Sequence, residues 1–173
     1  MSFDLNQPVS GKVWKFGDSI DTDCINPYYR YPDPAELRKH TMESARPEFA
    51  SQVRPGDIIV AGRNFGCGSS RHGKVLFEVG IVAVLAESFS TLFLRNGISG
   101  GDMVLAVPGI TGIVEDGQTL EIDYSKGMVR NPSSGKTLPV RRYPPMIENL
   151  IKAGGMWPFA IARLKAESQA GKS

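Results

Sequence analysis

The sequence has few of the residues from which disulfide frameworks and metal sites are built. Its 173 residues include two cysteines, Cys24 and Cys67, and two histidines, His40 and His72. A secreted disulfide scaffold would need more cysteines, so we expect reduced thiols. These four widely spaced residues also do not make a structural zinc site or a four-thiolate iron–sulfur site. Any metal that the protein uses is therefore expected to be held mostly by another molecule.

Long apolar runs and an excess of charge of one sign are absent as well. No uninterrupted apolar stretch approaches the ~20 residues that span a bilayer, and the first residues lack the basic start and apolar run of a signal peptide. The net charge of +2 is too small to favour nucleic acid or an anionic membrane as a partner. We therefore expect a cytoplasmic protein with neither a membrane nor a nucleic-acid partner.

The composition that is present is that of a globular protein. Hydrophobic residues make up 41% of the sequence and charged residues 22%, which are ordinary values for a soluble domain. A chain of this length can bury a substantial core. Because the last residues are small and polar, we expect one domain over residues 1–165 and a disordered tail over residues 166–173.

Apolar periodicity predicts an α/β fold. Four consecutive segments are expected to form strand, helix, strand and helix: residues 57–61, 70–79, 81–86 and 89–95. That order is the unit of a parallel sheet with crossover helices. For the two helical segments, Ser70 and Ser88 mark the expected starts, and Gly80 and Gly97 the expected ends.

The flanking segments predict further strands and helices around this core. Short apolar segments separated by glycine, proline and asparagine predict antiparallel hairpins after residue 103. The remaining expected elements are a strand over residues 11–16, hairpin strands at 104–107, 113–114, 119–122 and 128–130, and helices beginning at Pro34, after Pro144 and near Pro158.

The most informative segment is residues 62–71, Gly-Arg-Asn-Phe-Gly-Cys-Gly-Ser-Ser-Arg. Its three glycines allow a sharp turn and a close approach to a ligand. Ser69 and Ser70 are expected where a helix begins, and its N–H groups together with Arg71 would attract an anion or stabilise the alkoxide of a serine base. A tight connection with a serine cap would explain the serine and glycines but not Arg71. The residues alone leave both interpretations open.

Two earlier segments allow both a structural and a functional interpretation. Asp21, Thr22 and Asp23 form either a simple polar turn or a support that orients an arginine and a hydroxyl. Arg30 lies among tyrosines and prolines, and it is either a stacked surface residue or a rigid fork for a substrate carboxylate. Cys67 is expected to be a packing residue, because no histidine partner is evident.

Residues 56–71 resemble the signature of the small subunit of isopropylmalate dehydratase, in the aconitase family. Further matches occur in family order, at residues 17–23, 86–89, 93–97 and 152–155. The resemblance implies a swivelling β/β/α domain with a parallel strand–helix core, β-hairpins and C-terminal helices. It also implies docking on a large subunit that carries a [4Fe–4S] cluster and most catalytic residues, while this chain alone binds no metal.

The family removes water from hydroxy di- or tricarboxylic acids and, in its isomerases, returns it; the resemblance implies a role in leucine biosynthesis. By motif matching, Ser69 is the base that takes the proton next to a carboxylate, Arg71 binds a substrate carboxylate, and Ser70 helps to form the anion site. Arg30 resembles the arginine of a Tyr-Leu-Arg loop that recognises the variable end of the substrate in homoaconitase-like small subunits. The matched supporting residues are Asp21, Thr22, Asp23, Asn64, Gly66, Cys67 and Gly68.

The chain departs from the family pattern next to these residues. His72, Gly73 and Lys74 replace the usual Glu-His-Ala, and the loop after Asp23 is about two residues shorter than usual. A changed loop beside an intact base predicts retained chemistry on an altered substrate, of the homoaconitate, citramalate or dimethylmalate type. The alternative is a non-catalytic organic-acid-binding module in which Ser69 and Arg71 form only an anion cradle.

Overall fold

A computed structural model describes residues 3–70 and 73–170 of the chain. Within these ranges the chain forms seven strands, seven helices and one 3-10 turn. In chain order they are β1 (Val9–Lys15), α1 (Thr22–Ile25), α2 (Pro34–His40), α3 (Phe49–Gln52), β2 (Ile58–Ala61), α4 (Lys74–Glu78), β3 (Ala83–Ala86), α5 (Thr91–Gly100), β4 (Val104–Ala106), the 3-10 turn (Ile110–Gly112), β5 (Thr119–Asp123), β6 (Met128–Arg130), β7 (Thr137–Pro139), α6 (Pro145–Lys152) and α7 (Met156–Ala170).

The strands form one mixed sheet in the order β4-β3-β2-β1-β5-β6-β7. β1 to β4 are parallel to one another, while β5, β6 and β7 continue the sheet as antiparallel strands. β1 joins the two halves, because Val13 pairs with Ile58 of β2 and Val9 pairs with Ile122 of β5. This architecture confirms the predicted α/β fold with a parallel core, hairpins and C-terminal helices.

Both faces of the parallel half are buried. Ile58 and Val60 of β2 point into one apolar core, and Ile59 points into a second core on the opposite face. All residues of β2 and β3 are buried. The continuous apolar runs that predicted these strands are a consequence of this two-sided burial.

Two helices begin and end at other residues than predicted. α5 begins after Ser90, whose hydroxyl accepts the N–H of Phe93 at 3.2 Å, and not after Ser88. It continues through Gly97 to Gly100. A Cβ on Gly97 would lie 3.1 Å from the side chain of Val104. Gly97 therefore allows the helix to pack closely on β4 and does not end it.

The start of α4 corrects a more important expectation. The helix begins at Lys74, so Ser70 does not stand at a helix start. The preceding Gly73 packs against the ring of Phe93, where a Cβ would overlap the ring. The local pattern does not indicate this contact, because Phe93 belongs to the next helix.

The predicted hairpins are confirmed only in part. β5 and β6 pair as expected, and β7 joins them as a strand that was not predicted. Residues 104–106 instead form β4, in which Val104 pairs in parallel with Val84. Ile113 ends the 3-10 turn and forms no strand.

The C-terminal region is helical. α6 begins at Pro145, and α2 begins at Pro34 with Asp33 as its cap, both as predicted. α7 runs to Ala170, so the expected boundary at residue 165 falls within a helix, and the division into a domain and a tail stays a prediction. No helix within the described ranges is long and apolar enough to cross a membrane.

Candidate active site

The candidate site lies at the carboxyl ends of the parallel strands, where the loops after β1, β2 and β3 meet. In parallel sheets these ends share one edge, which is where ligands usually bind. The segment after β2 is held on both sides: Gly66 donates its N–H to the carbonyl of Ile20 at 2.8 Å, and Phe65 donates to that of Ser88 at 3.0 Å. Residues 62–70 therefore form a strap between two neighbouring loops.

Positive backbone angles explain the composition of this strap. Gly66 and Gly68 have φ values of +74° and +93°, and Asn64 has a φ of 59°. Such angles favour glycine and tolerate asparagine. A Cβ on Gly66 would also overlap the ring of Phe93, while the buried Phe65 contacts that ring edge-on at 5.2 Å between centroids. Gly66 and Gly68 thus have a structural role, because they fix the backbone that leads into Ser69.

Ser69 lies near the end of the strap and is exposed. Its main chain and its hydroxyl are both within hydrogen-bond distance of the Thr22 side chain. The Thr22 Oγ1 lies 3.1 Å from Ser69 Oγ and accepts the Ser69 N–H at 3.0 Å. Thr22 is the first residue of α1 and is only 1% exposed. Asp21 caps this short helix by accepting the Cys24 N–H at 2.6 Å. The structure therefore brings together Ser69, Thr22 and Asp21.

Ser70 is exposed and lies next to a residue that sequence reasoning missed. Its carbonyl accepts a hydrogen bond from Asn96 Nδ2 of α5 at 2.9 Å. Ser69 and Ser70 lie in irregular backbone before α4, so the helix start predicted at Ser70 is wrong, while its role in an anion site stays a prediction. The sequence could have pointed to Asn96, because it lies within residues 93–97, which match the family pattern. Arg71 and His72 lie outside the described residues.

The remaining strap residues contact the neighbouring loops. Asn64 donates its N–H to Ser88 Oγ at 3.0 Å, and the Cys67 thiol donates to the Ser19 carbonyl at 3.5 Å. The thiol contact joins the strap to the loop after β1, while the packing role of Cys67 stays a prediction. Burial raises the pKa of the other thiol, Cys24. No group of three or more potential metal ligands occurs in the part of the chain that the structure describes.

An open cleft of about 400 Å³ lies beside α1. Asp21, Asp23 and Arg30 line it together. The Arg30 guanidinium lies 5.6 Å from the ring centroid of Tyr31, and this ring stacks on His40 at 3.7 Å. Arg30 therefore stacks on an aromatic ring and also lines the cleft beside α1, so the structure leaves both interpretations of this residue open.

Glu87 is a second residue that sequence reasoning did not assign to the site, although it lies within the matched residues 86–89. Its carboxylate accepts the Gly109 N–H at 2.6 Å and both the N–H and the hydroxyl of Thr111, at 3.0 and 2.6 Å. Burial opposes ionisation, but the hydrogen bonds from Thr111 and Gly109 outweigh it and lower the pKa of Glu87. Glu87 thus fixes the loop after β4 against the loop after β3.

Comparison with known proteins identifies the class of protein to which this fold and strap belong. Residues 21–108 match the model of the aconitase C-terminal domain. The solved structure of 3-isopropylmalate dehydratase from Methanocaldococcus jannaschii superposes with a TM-score of 0.86 and 35% identity, over 95% of this chain and 99% of that one. The chain therefore belongs to the aconitase C-terminal domain family.

Its relatives within the family are small subunits. The 3-isopropylmalate dehydratase small subunit of Thermodesulfovibrio yellowstonii is 46% identical, over 92% of this chain and 97% of the relative. The isopropylmalate/citramalate isomerase small subunit of Methanocaldococcus jannaschii is 42% identical, over 93% and 98%. The methanogen homoaconitase small subunit of Methanothermobacter thermautotrophicus is 46% identical, over 86% and 88%. The resemblance found in the sequence is confirmed.

Proposed function

We propose that this chain is the small subunit of a two-subunit hydro-lyase that dehydrates or isomerises a hydroxy acid of the 3-isopropylmalate type. The observation that carries the proposal is the near-complete coverage of relatives named as small subunits of such enzymes. A large subunit is the partner that these names imply. The proposal includes the cytoplasmic location and the role in leucine biosynthesis that the sequence analysis expects.

The [4Fe–4S] cluster of the family is assigned to the large subunit. Cys24 and Cys67 are both half-buried, and the described residues hold no cluster of potential ligands. A cluster with three or four thiolate ligands does not fit this chain. The contribution of this chain is therefore to move a proton and to bind carboxylates.

Ser69 is the proposed base. Its hydroxyl is exposed at the loop junction, and a serine acts as a base only when its alkoxide is stabilised by donors and positive charge. The alkoxide would take the proton from the carbon next to a substrate carboxylate and become a neutral hydroxyl. Arg71, which matches the family motif, would bind that carboxylate with two parallel hydrogen bonds.

Arg30 and its cleft are proposed to select the substrate. Arg30 lines the cleft with Asp21 and Asp23. In the proposal the two aspartates orient the guanidinium, which binds a carboxylate at the variable end of the substrate. This observation, together with the homoaconitase small subunit among the relatives, supports a second candidate function, the hydration of a homoaconitate-type acid. Citramalate and dimethylmalate are the smaller alternatives.

The test uses this chain assembled with its large subunit. We expect turnover of one of four acids (isopropylmalate, homoaconitate, citramalate or dimethylmalate), and we expect Ser69→Ala to lower kcat by roughly 10² to 10⁴ while the assembly persists. Ser51→Ala is the matched control, because its exposed hydroxyl donates to the Glu48 carbonyl at the start of α3, before β2 and outside the strap. Substrate binding without turnover by the wild-type assembly would support the non-catalytic module instead.

A further inference from the structure

The side chain of Thr22 contacts Ser69 at three different atoms. Its Oγ1 accepts the Ser69 N–H at 3.0 Å, and it lies 3.3 Å from the Ser69 carbonyl oxygen and 3.1 Å from Ser69 Oγ. We propose that Thr22 is a positioning residue that stabilises the alkoxide form of Ser69. This inference rests on the proposed function, in which Ser69 is the base.

The hydrogen atoms at this contact define the role. A threonine hydroxyl has one hydrogen to donate and two lone pairs to accept with. Since Thr22 Oγ1 already accepts the Ser69 N–H, its own hydrogen goes to either the carbonyl or the hydroxyl oxygen of Ser69. When Ser69 is an alkoxide, the bond to Oγ is charge-assisted and becomes the stronger choice. Thr22 keeps its proton throughout, while Ser69 takes the proton from the substrate carbon.

The surroundings of Thr22 hold its hydroxyl in this place. The side chain is β-branched and buried, so it has few alternative rotamers. Its backbone N–H donates to the Cys67 carbonyl at 2.8 Å, which ties α1 to the strap. A donor fixed before the reaction needs no reorganisation when charge develops on Ser69.

Several titratable groups lie close in sequence to this pair. Asp21 and Asp23 flank Thr22, the Cys67 thiol precedes Ser69 by two residues, and the guanidinium of Arg71 comes two residues after it. All of them are retained when Thr22 alone is replaced. A difference in pH dependence between a Thr22 variant and the wild type therefore reports on the Thr22 hydroxyl.

The decisive experiment is a pH profile of kcat for Thr22→Val in the assembled two-subunit enzyme. Valine keeps the shape of threonine but removes the donor. We expect kcat at pH 7 to fall roughly 10- to 100-fold, as for the loss of a hydrogen bond to a charged group, with KM within about twofold. The acidic limb of the profile should move upward by about one to two pH units. Thr22→Ser should restore both quantities.

Thr41→Val is the matched control, because it removes the hydroxyl of another buried threonine. Thr41 is 0% exposed, and its hydroxyl donates to the Ile25 carbonyl at 2.7 Å, at the other end of α1. This variant should lower the thermal stability of the chain without moving the pH profile. Should Thr22→Val fail to assemble, Thr22→Ala is measured in its place with the same expectation.

The outcomes separate this inference from the proposed function. Three results would each overturn the role of Thr22. The pH profile of kcat could be unshifted in Thr22→Val, it could shift equally in Thr41→Val, or Thr22→Ser could fail to restore kcat and the profile. If at the same time Ser69→Ala is inactive, the function proposed for the chain stands. Normal turnover by Ser69→Ala would instead overturn the proposed function.

Discussion

The two halves of the sheet use their polar side chains differently. In the parallel half, hydrogen bonds join residues that are distant in the chain: Thr22 and Ser69 are 47 residues apart, and Glu87 and Thr111 are 24 apart. In the antiparallel half they mostly close local turns. Asp123 binds Ser125 and Lys126, two and three residues away.

This difference distinguishes the edge that holds the candidate site from the rest of the sheet. Local polar contacts in the antiparallel half stabilise each turn by itself. Contacts between loops in the parallel half instead place an exposed hydroxyl, Ser69, above a buried one, Thr22. Three predictions compare how much substitutions in the two halves change the stability of the fold, from the largest expected effect to the smallest. The Ser69 and Thr22 variants described above test the effect on catalysis.

The largest stability effect is expected from Gly66→Ala. The new Cβ would require a φ of +74° and would overlap the Phe93 ring, so both backbone strain and overpacking oppose folding. We expect a loss of about 3 kcal/mol or more in the free energy of unfolding, measured by urea denaturation. Gly117→Ala is the control in the antiparallel half, because its φ is +76° but no atom lies within 4 Å of the new Cβ. It should cost only about 1 kcal/mol; equal losses would show that the strap is not tightly packed.

A smaller effect, an increase in stability, is expected from Asp102→Asn in the parallel half. Burial raises the pKa of Asp102 to about 6, against the attraction of Lys74 and with a contribution from Glu78. No described group hydrogen-bonds its Oδ2. Because the folded-state pKa lies above the unfolded value, Asp102 favours folding in its protonated form, and this contribution is lost as the pH rises from about 4 through 6.

The asparagine variant should therefore be more stable than the wild type at pH 7 to 8, by about 1 to 3 kcal/mol. The advantage should vanish near pH 4. Thermal unfolding across this pH range measures it, and a variant that is less stable than the wild type at pH 8 would contradict the assigned burial cost.

The smallest effect is expected from Asp123→Asn in the antiparallel half. Hydrogen bonds from Lys126 and Ser125 lower the pKa of Asp123 to about 2. Because the folded-state pKa lies below the unfolded value, the contribution is present above about pH 4 and is lost as the pH falls through 2. We expect a slight loss of thermal stability at pH 7 that is reduced by salt, as for exposed ion pairs. No change at low salt would show that this turn does not depend on the charge.

The sequence predicted the parts of the fold that depend on local pattern. Continuous apolar runs located β2 and β3, because both faces of these strands are buried. Pro34 and Pro145 located two helix starts, since proline fits the first turn. The predictions failed where a distant side chain decides the local structure, as the Phe93 ring does at Gly73 and Val104 does at Gly97.

The candidate site was predictable in its members but not in its geometry. Family motifs identified Ser69 and Thr22 without indicating that their hydroxyls touch. That contact arises because β1 and β2 pair in parallel, which brings the loops after them to one edge. Asn96 was not singled out, since its contact with the Ser70 carbonyl depends on how α5 packs.

Hydrogen bonding between neighbouring loops continues beyond the ends of the strands. Asp21 and Cys67 form one isolated parallel bridge, and Phe65 and Phe89 form another. These two bridges hold the loops after β1, β2 and β3 together, so the loops lose much of their conformational freedom when the chain folds. A subunit that binds over this edge then has less conformational entropy to remove, which favours tight association without a large contact area.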